Sequence, residues 1–528
     1  MLPRDSSPEL YPHRACDGCR RKKARCDSID HSCTNCRRAG QACSFDIPPG
    51  KRGPKGKPRR RNIIDVQHDT PQHDVPQQQH SAQSYPCSPA AQSPQQAPRN
   101  PTTLQRYRLL ADAVAQASSS LITLESVIQE CADLFFRYIV PFNMSVHEPT
   151  FRHTLNQARS SSPPGASLTE SNFTLITAVC AKVCFFVPSE LFPVGARLAE
   201  PFLEASRSCF STYAEADLEN PCADSITIRY LHSNCLHTCA RSVISWHVYG
   251  EAVRLAQRMR LHDEDSYVSL PPIEAEMRRN AFWHLYVGDK SLAVLRSMPM
   301  TLYEYSFDKG ITAAYPSVEQ NEFVEGVNAD IRLWQYAADL LLRMRLIKSS
   351  QTPGSDLSDA SLTAASYETL GRLYVRFATC IDHLPPHLQP HTASLLETKG
   401  NDTTHNKFAA QIADIYVTYH CLKMHLTRKL EEVGYFSRVG EYKDMLVLRK
   451  TEIARDMIAL LQAIPFWSLK INGEPCAEKI RLVGTSLLAI IQEPSTLAPR
   501  ARGDFMIVLD ILSRLDSKAS DALRQEML

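Results

Sequence analysis

Six cysteines crowded into 28 residues constrain this chain more than anything else in it. Cys16, Cys19, Cys26, Cys33, Cys36 and Cys43 follow the spacing C-x2-C-x6-C-x6-C-x2-C-x6-C. The last three repeat the first three at an offset of 17 residues, so CDGCRRKKARC and CTNCRRAGQAC read as two copies of one unit. Within each copy the C-x2-C pair shares one face of a helical turn, and both sulfurs reach one metal. Three thiolates do not complete a tetrahedral site. Two separate zinc ions need eight ligand places, and six thiolates supply eight only when two of them bridge. The duplication therefore predicts one binuclear cluster with two Zn2+ and a bridging cysteine from each copy. Such a cluster is anionic, and the surrounding Arg and Lys help offset its charge.

Other uses of six cysteines fit less well. A disulfide knot belongs to a secretory context. A four-cysteine ribbon leaves the strict offset unexplained, and a RING-like site needs eight ligands with histidine among them. His13 and His31 are near, but they break the repeat. The other eleven of the 17 cysteines are scattered from Cys87 to Cys476, mostly among apolar residues, as Cys180 and Cys184 are in LITAVCAKVCFF. They read as small buried hydrophobes.

The charge of the chain is informative only when divided. The whole carries +2, but residues 1–62 hold 16 Lys and Arg against 6 Asp and Glu, and the remainder is acidic. A basic head on an acidic body points to a polyanionic partner for the head alone. Only the first copy of the repeat is strongly basic, with Arg20, Arg21, Lys22, Lys23 and Arg25 between its second and third cysteines. We expect a first helix at about residues 17–25 to face double-stranded DNA. One or two long cations at its far end reach guanine O6 and N7 in the major groove, and the others hold phosphates. PPGKRGPKGKPRRR follows, with Lys51, Arg52, Lys55, Lys57, Arg59, Arg60 and Arg61. It reads as an extended arm on the phosphate backbone, a nuclear import signal, or both.

CDGCRRKKARCDSIDHSCTNCRRAGQAC resembles the DNA-binding domain of fungal Zn2Cys6 binuclear-cluster regulators, and the KRGPKGK arm resembles members of that family too. The resemblance implies that Cys16 and Cys33 bridge. It also implies that Lys22 and Lys23 read a CGG-type triplet, Lys23 above all. One departure is His31, where many members have a proline two residues before the fourth cysteine; it affects the loop from Asp27 to Ser32, not the ligands. ECADLFFRYIVPFNMSVHEPTF resembles the start of the family's middle homology region. So do Trp246, Gly250, Ala252, Arg254, Ala256, Leu261 and His262, with Arg260 replacing the usual glycine, and Glu276, Arg278, Arg279, Phe282, Trp283, Asp289 and Pro299. The resemblances cover roughly residues 14–61 and 125–310. They imply a nuclear transcription factor for RNA polymerase II genes, an activator by family habit, with the transcription machinery or co-regulators as further partners. A pathway-specific activator of a secondary-metabolite cluster is the expected role, and a sugar or carbon-source regulator the alternative.

Four segments are expected: a Zn2Cys6 domain at 14–46, built of two short helices around two zinc ions; a basic arm at 47–62; a disordered linker at 63–103; and an all-α regulatory domain at 104–528. The linker is rich in Gln, Pro and Ser and nearly devoid of large apolar residues. No sustained heptad follows the cluster, so a homodimer stays an open alternative. Beyond residue 104 the apolar spacing is helical, as in EAVRLAQRMRL, and we read these stripes as core packing. Breaks are expected near 160–165, 351–359 and 385–402. No run of 18 apolar residues occurs, and the nearest, Thr174 to Pro188, is interrupted by Lys182. The first twelve residues lack a signal-peptide core.

No catalytic pattern emerges. His147-Glu148 lacks the second histidine of HExxH, because Phe151 stands there. GxGxxG, P-loop and GxSxG patterns are missing, so we expect no enzyme. His247 and His262 read as structural, and Arg278, Arg279 and Asp289 as a structural ion pair within one hairpin. An RNA-binding role would call for exposed aromatics in the head, where only Tyr11 and Phe45 are available.

Overall fold

The computed structural model describes residues 16–21, 26–27, 33–44, 101–117, 122–317, 321–350, 363–399, 402–436, 442–493 and 496–515. The chain forms two compact units, Met1–Ser93 and Pro94–Leu528. The expected basic arm and most of the expected linker lie outside the described residues, as do residues 22–25.

In the first unit, α1 (Asp17–Arg21) and α2 (Thr34–Arg38) keep the 17-residue offset of the cysteines. Cys33 caps α2, its sulfur accepting the N–H of Cys36 at 3.3 Å.

The second unit is helical. Its first half holds α3 (Thr103–Ala117), α4 (Leu124–Leu134), α5 (Glu148–Ser160), α6 (Glu170–Phe186), α7 (Gly195–Glu219), α8 (Ala223–Thr238), α9 (Ser242–Arg258) and α10 (Pro272–Leu295). Its second half holds α11 (Val324–Ser350), α12 (Ala364–Ala378), α13 (Ala409–Glu432), α14 (Tyr442–Ala463), α15 (Phe466–Ile471), α16 (Gly473–Gln492) and α17 (Ala498–Arg514). One hairpin departs from the helical pattern among the described residues: β1 (Leu396–Lys399) pairs antiparallel with β2 (Asp402–His405). It begins in the expected break at 385–402 and runs past its end; the 160–165 break falls at the end of α5, and the 351–359 break lies outside the described residues.

Caps set several helix starts. Thr123, Thr169 and Thr363 each accept a backbone N–H from the residue three further on, a contact that contributes about 1 kcal/mol. His147 does the same for α5, its Nδ1 accepting the N–H of Thr150 at 3.4 Å, so this histidine is a cap. Thirteen of the 17 residues of α6 are buried, which is why ESNFTLITAVCAKVCFF shows no polar stripe: a helix apolar all round is a core helix. α13 plays the same part in the second half, whose core includes its Leu422 together with Trp334, Phe377 and Phe505 of other helices. Cys131, Cys180, Cys184, Cys209, Cys235, Cys421 and Cys476 are buried. No helix among the described residues is long and apolar enough to cross a membrane.

The expected pairing of Arg278, Arg279 and Asp289 is corrected. All three lie on α10, where eleven residues of rise carry Asp289 about 16 Å from Arg278. Arg278 instead pairs with Glu274 at 2.6 Å, Arg279 with Glu264 at 2.7 Å, and Asp289 with Lys290 at 3.0 Å. Asp289 also accepts the N–H groups of Thr301 and Leu302, closing the loop after α10. His262 stacks on Phe307 at 3.8 Å between ring centres, a packing role.

Candidate metal centre and nucleic-acid interface

The repeat brings its sulfurs together in two overlapping groups. The Sγ atoms of Cys16, Cys19, Cys26 and Cys33 lie within 4.8 Å of one another, and so do those of Cys16, Cys33, Cys36 and Cys43. Each group has four members, and Cys16 and Cys33 belong to both. Cys16 Sγ is 3.8 Å from Cys33 Sγ and 3.5 Å from Cys36 Sγ, and Cys19 Sγ is 3.5 Å from Cys33 Sγ. A tetrahedral zinc with sulfur at about 2.3 Å sets its sulfurs about 3.8 Å apart. The donor set and its edges therefore fit two zinc ions. Cys16 and Cys33 are 0% and 1% exposed, whereas Cys26 and Cys43 are only half-buried, so the shared pair sits innermost.

Contacts away from the sulfurs close this small fold. The N–H of Asp17 donates to the carbonyl of Ser44 at 2.8 Å, tying α1 to the far end of the repeat. The Asp27 carboxylate accepts the N–H of Thr34 at 3.0 Å and also its hydroxyl. Those bonds, the hydroxyl first, hold the Asp27 carboxyl below its usual range. A Cβ on Gly18 would stand 3.1 Å from Cys36 Sγ, so the missing side chain lets α1 approach the second copy closely. Sequence reasoning missed all three contacts; the signal for the second was an acid directly after the third cysteine. The sulfurs compete for protons: the N–H of Cys19 holds Cys16 down to about 6, and a hydrogen bond to Cys33 pushes Cys19 up to about 12. Six thiolates this close coexist only with cations among them.

Of the predicted DNA contacts, Arg21 is exposed on α1 and the backbone of Arg20 lies in the same helix. Lys22, Lys23, Arg25, Lys51, Arg52 and Lys55 lie outside the described residues. In the second copy, Arg37 and Arg38 are exposed at the end of α2.

Comparison with known proteins gives two family matches. Residues 14–52 match the fungal Zn(2)-Cys(6) binuclear cluster domain, which binds two zinc ions, and residues 132–336 match the fungal specific transcription factor domain. The glucose transport transcription regulator RGT1 of Kluyveromyces lactis is 54% identical over 48 residues, 8% of this chain and 5% of that protein. The citrinin biosynthesis transcriptional activator mrl3 of Monascus ruber is 24% identical over 326 residues, 55% of this chain and 62% of its own length. The aurofusarin cluster transcription factor aurR2 of Gibberella zeae is 39% identical over 64 residues, 12% of this chain and 9% of that protein. The chain thus spans less than two thirds of each of these relatives.

Proposed function

We propose that this chain, whose two domain matches are those of a fungal Zn2Cys6 transcription factor, is a sequence-specific DNA-binding regulator of RNA polymerase II genes acting in the nucleus. The observation that carries the reading is the pair of sulfur quartets sharing Cys16 and Cys33. All six cysteines serve as zinc ligands, with those two bridging. The zinc ions supply charge and fixed crosslinks, and no reaction is asked of them. The chain's own residues do the recognition. Lys23, with Lys22, reaches base edges in the major groove, while Arg20, Arg21 and Arg25 hold phosphates. Lys51, Arg52 and Lys55 extend the contact along the backbone, where they strengthen binding without reading sequence. In this reading residues 14–46 form the reader, 47–62 the arm, 63–103 the linker and 104–528 the regulatory body.

The finer role is activation of a secondary-metabolite gene cluster. Its support is the similarity to mrl3, which extends over 326 residues and so into the helical body. The similarity to RGT1 is confined to 48 residues, and it favours control of sugar-use genes as a second reading.

Selection of a short motif from random duplexes by the zinc-loaded chain tests the DNA reading. A CGG-containing motif, lost on adding a zinc chelator, is the expected result; binding indifferent to sequence or to the chelator would overturn it. Promoter occupancy, with transcript levels after gene deletion, separates the two pathway readings.

A further inference from the structure

The helical body encloses a cavity of about 420 Å³, within the range that small-molecule sites occupy. Its walls come from α6, α8, α9 and α10 on one side and α11, α13 and α16 on the other, so it lies between the two hydrophobic cores. Much of the lining is apolar or aromatic, including Phe186, Trp246, Tyr249, Ile331 and Trp334. Val243, which also lines it, is 73% exposed, and Trp246 is 44% exposed, so the opening is apolar and faces solvent.

Lys182 lies in this wall, 2% exposed. Its Nζ donates to Asn234 Oδ1 at 2.8 Å and sits 3.1 Å from the centre of the Phe186 ring. The Asn234 amide is itself turned by a bond from its Nδ2 to the carbonyl of Tyr230. Among the described residues no carboxylate pairs with Lys182. That contrasts with Lys479, also in the wall, which meets Asp414 at 2.8 Å and donates to Thr418 Oγ1 at 2.6 Å. A buried ammonium without a counter-ion is costly, and one direct remedy is an anion brought in from outside. Burial brings Lys182 down to about 7, so an arriving anion has only a small penalty to reverse in restoring its charge.

Two further polar atoms of the wall lack partners. Gln411 is 2% exposed; its Nε2 donates to the carbonyls of Pro141 and Phe323, but its Oε1 accepts nothing. Asp330 Oδ1 is buried and likewise unpartnered. Burial, then the charge of Asp414, raises Asp330 well above the usual carboxylate range, which favours its protonated form, able to donate. A hydroxyl, which both donates and accepts, answers these two atoms.

We propose that the cavity is a binding site for a small, largely apolar organic acid, its carboxylate held by Lys182 and a hydroxyl held by Gln411 and Asp330. Arg296 and His237 reach Glu478 beside it, joining α10 and α8 to α16. An occupant thus touches helices of both cores at once, as an effector of the regulatory body would.

The experiment titrates the zinc-loaded full chain, without DNA, with 2-naphthoate, 2-naphthamide and 2-naphthylmethylammonium by calorimetry. We expect one 2-naphthoate per chain, bound about tenfold or more tighter than the amide, as a charge-assisted hydrogen bond provides, with the ammonium weakest. Lys182→Met should erase the preference for the acid, and Ser291→Trp, which fills the cavity, should abolish binding of the acid and amide alike. If Lys182→Met melts without cooperativity, Lys182→Gln gives the same test while keeping a donor to Asn234. Saturable binding by none of the three probes, equal affinities for acid and amide, a preference that survives loss of Lys182, or binding of 6-hydroxy-2-naphthoate no tighter than that of 2-naphthoate would each overturn the proposal. No DNA enters the assay, so its failure leaves the reading of the zinc head untouched.

Discussion

Cys16 and Cys33 face each other across the repeat with their sulfurs 3.8 Å apart, and they are the two residues common to both sulfur quartets. A shared ligand and an unshared one are not equivalent. Replacing Cys33 with Ala removes a ligand from both sites, whereas replacing Cys43 with Ala removes one from a single site. We expect the Cys33→Ala chain to lose both zinc ions and Cys43→Ala to keep about one, measured by elemental analysis after dialysis. Equal losses in the two variants would remove the bridging assignment.

Base reading and phosphate binding should separate in the basic residues. Lys23→Ala should cost about 1–3 kcal/mol at the selected motif and relax the preference for its guanines. Lys55→Ala should weaken binding to all duplexes alike and lower the salt slope by about 1. Binding isotherms at several salt concentrations on matched and scrambled duplexes distinguish the two. If both variants behave the same way, the proposed division of roles between Lys23 and Lys55 is wrong.

His232 makes the stability of the body pH-dependent. It is 3% exposed and hydrogen-bonded to Ser206 Oγ at 2.7 Å, and burial depresses it to about 3. Unfolded, the imidazole takes up its proton near 6.5; folded, it does so only near 3. Between those values the unfolded state binds more protons, so stability is present above 6.5 and is lost as pH falls towards 3. His232→Asn has no such titration. Its deficit against the parent protein should therefore shrink by about 2 kcal/mol between pH 7 and pH 5, read from denaturant midpoints. A deficit unchanged with pH would show that His232 takes up its proton equally readily in the folded and unfolded states.

Arg260 stands in the left-handed region with φ of 56°. It ends α9 in a Schellman turn: its N–H bonds the carbonyl of Gln257 at 3.0 Å, and the N–H of buried Leu261 bonds that of Ala256 at 3.0 Å. Arginine is strained in this conformation and glycine is not. Its ion pair with Asp263 is largely exposed on the arginine side and contributes little. Arg260→Gly should stabilise the body by about 0.5–1 kcal/mol. A lower melting temperature for the variant would mean the ion pair outweighs the strain.

The cysteine spacing made the metal centre legible, because ligand count and tetrahedral geometry leave few arrangements for six sulfurs. The helical body was legible from its apolar period. The partners of Arg278, Arg279 and Asp289 were not, because sequence spacing places them on one helix but cannot say that Glu264 or Leu302 returns to meet them. The cavity was equally hidden. Its one trace was Lys182 interrupting an apolar run. Which helices surround that lysine is decided by packing between segments more than 50 residues apart, as Asn234 and Asp330 are from it, and no local pattern encodes that.

The zinc content of the purified full chain, by elemental analysis against protein concentration, tests the central claim most directly. Two zinc ions per chain, released together with the loss of motif-specific DNA binding, is the predicted result. One ion or none in a chain that still selects its motif would contradict it.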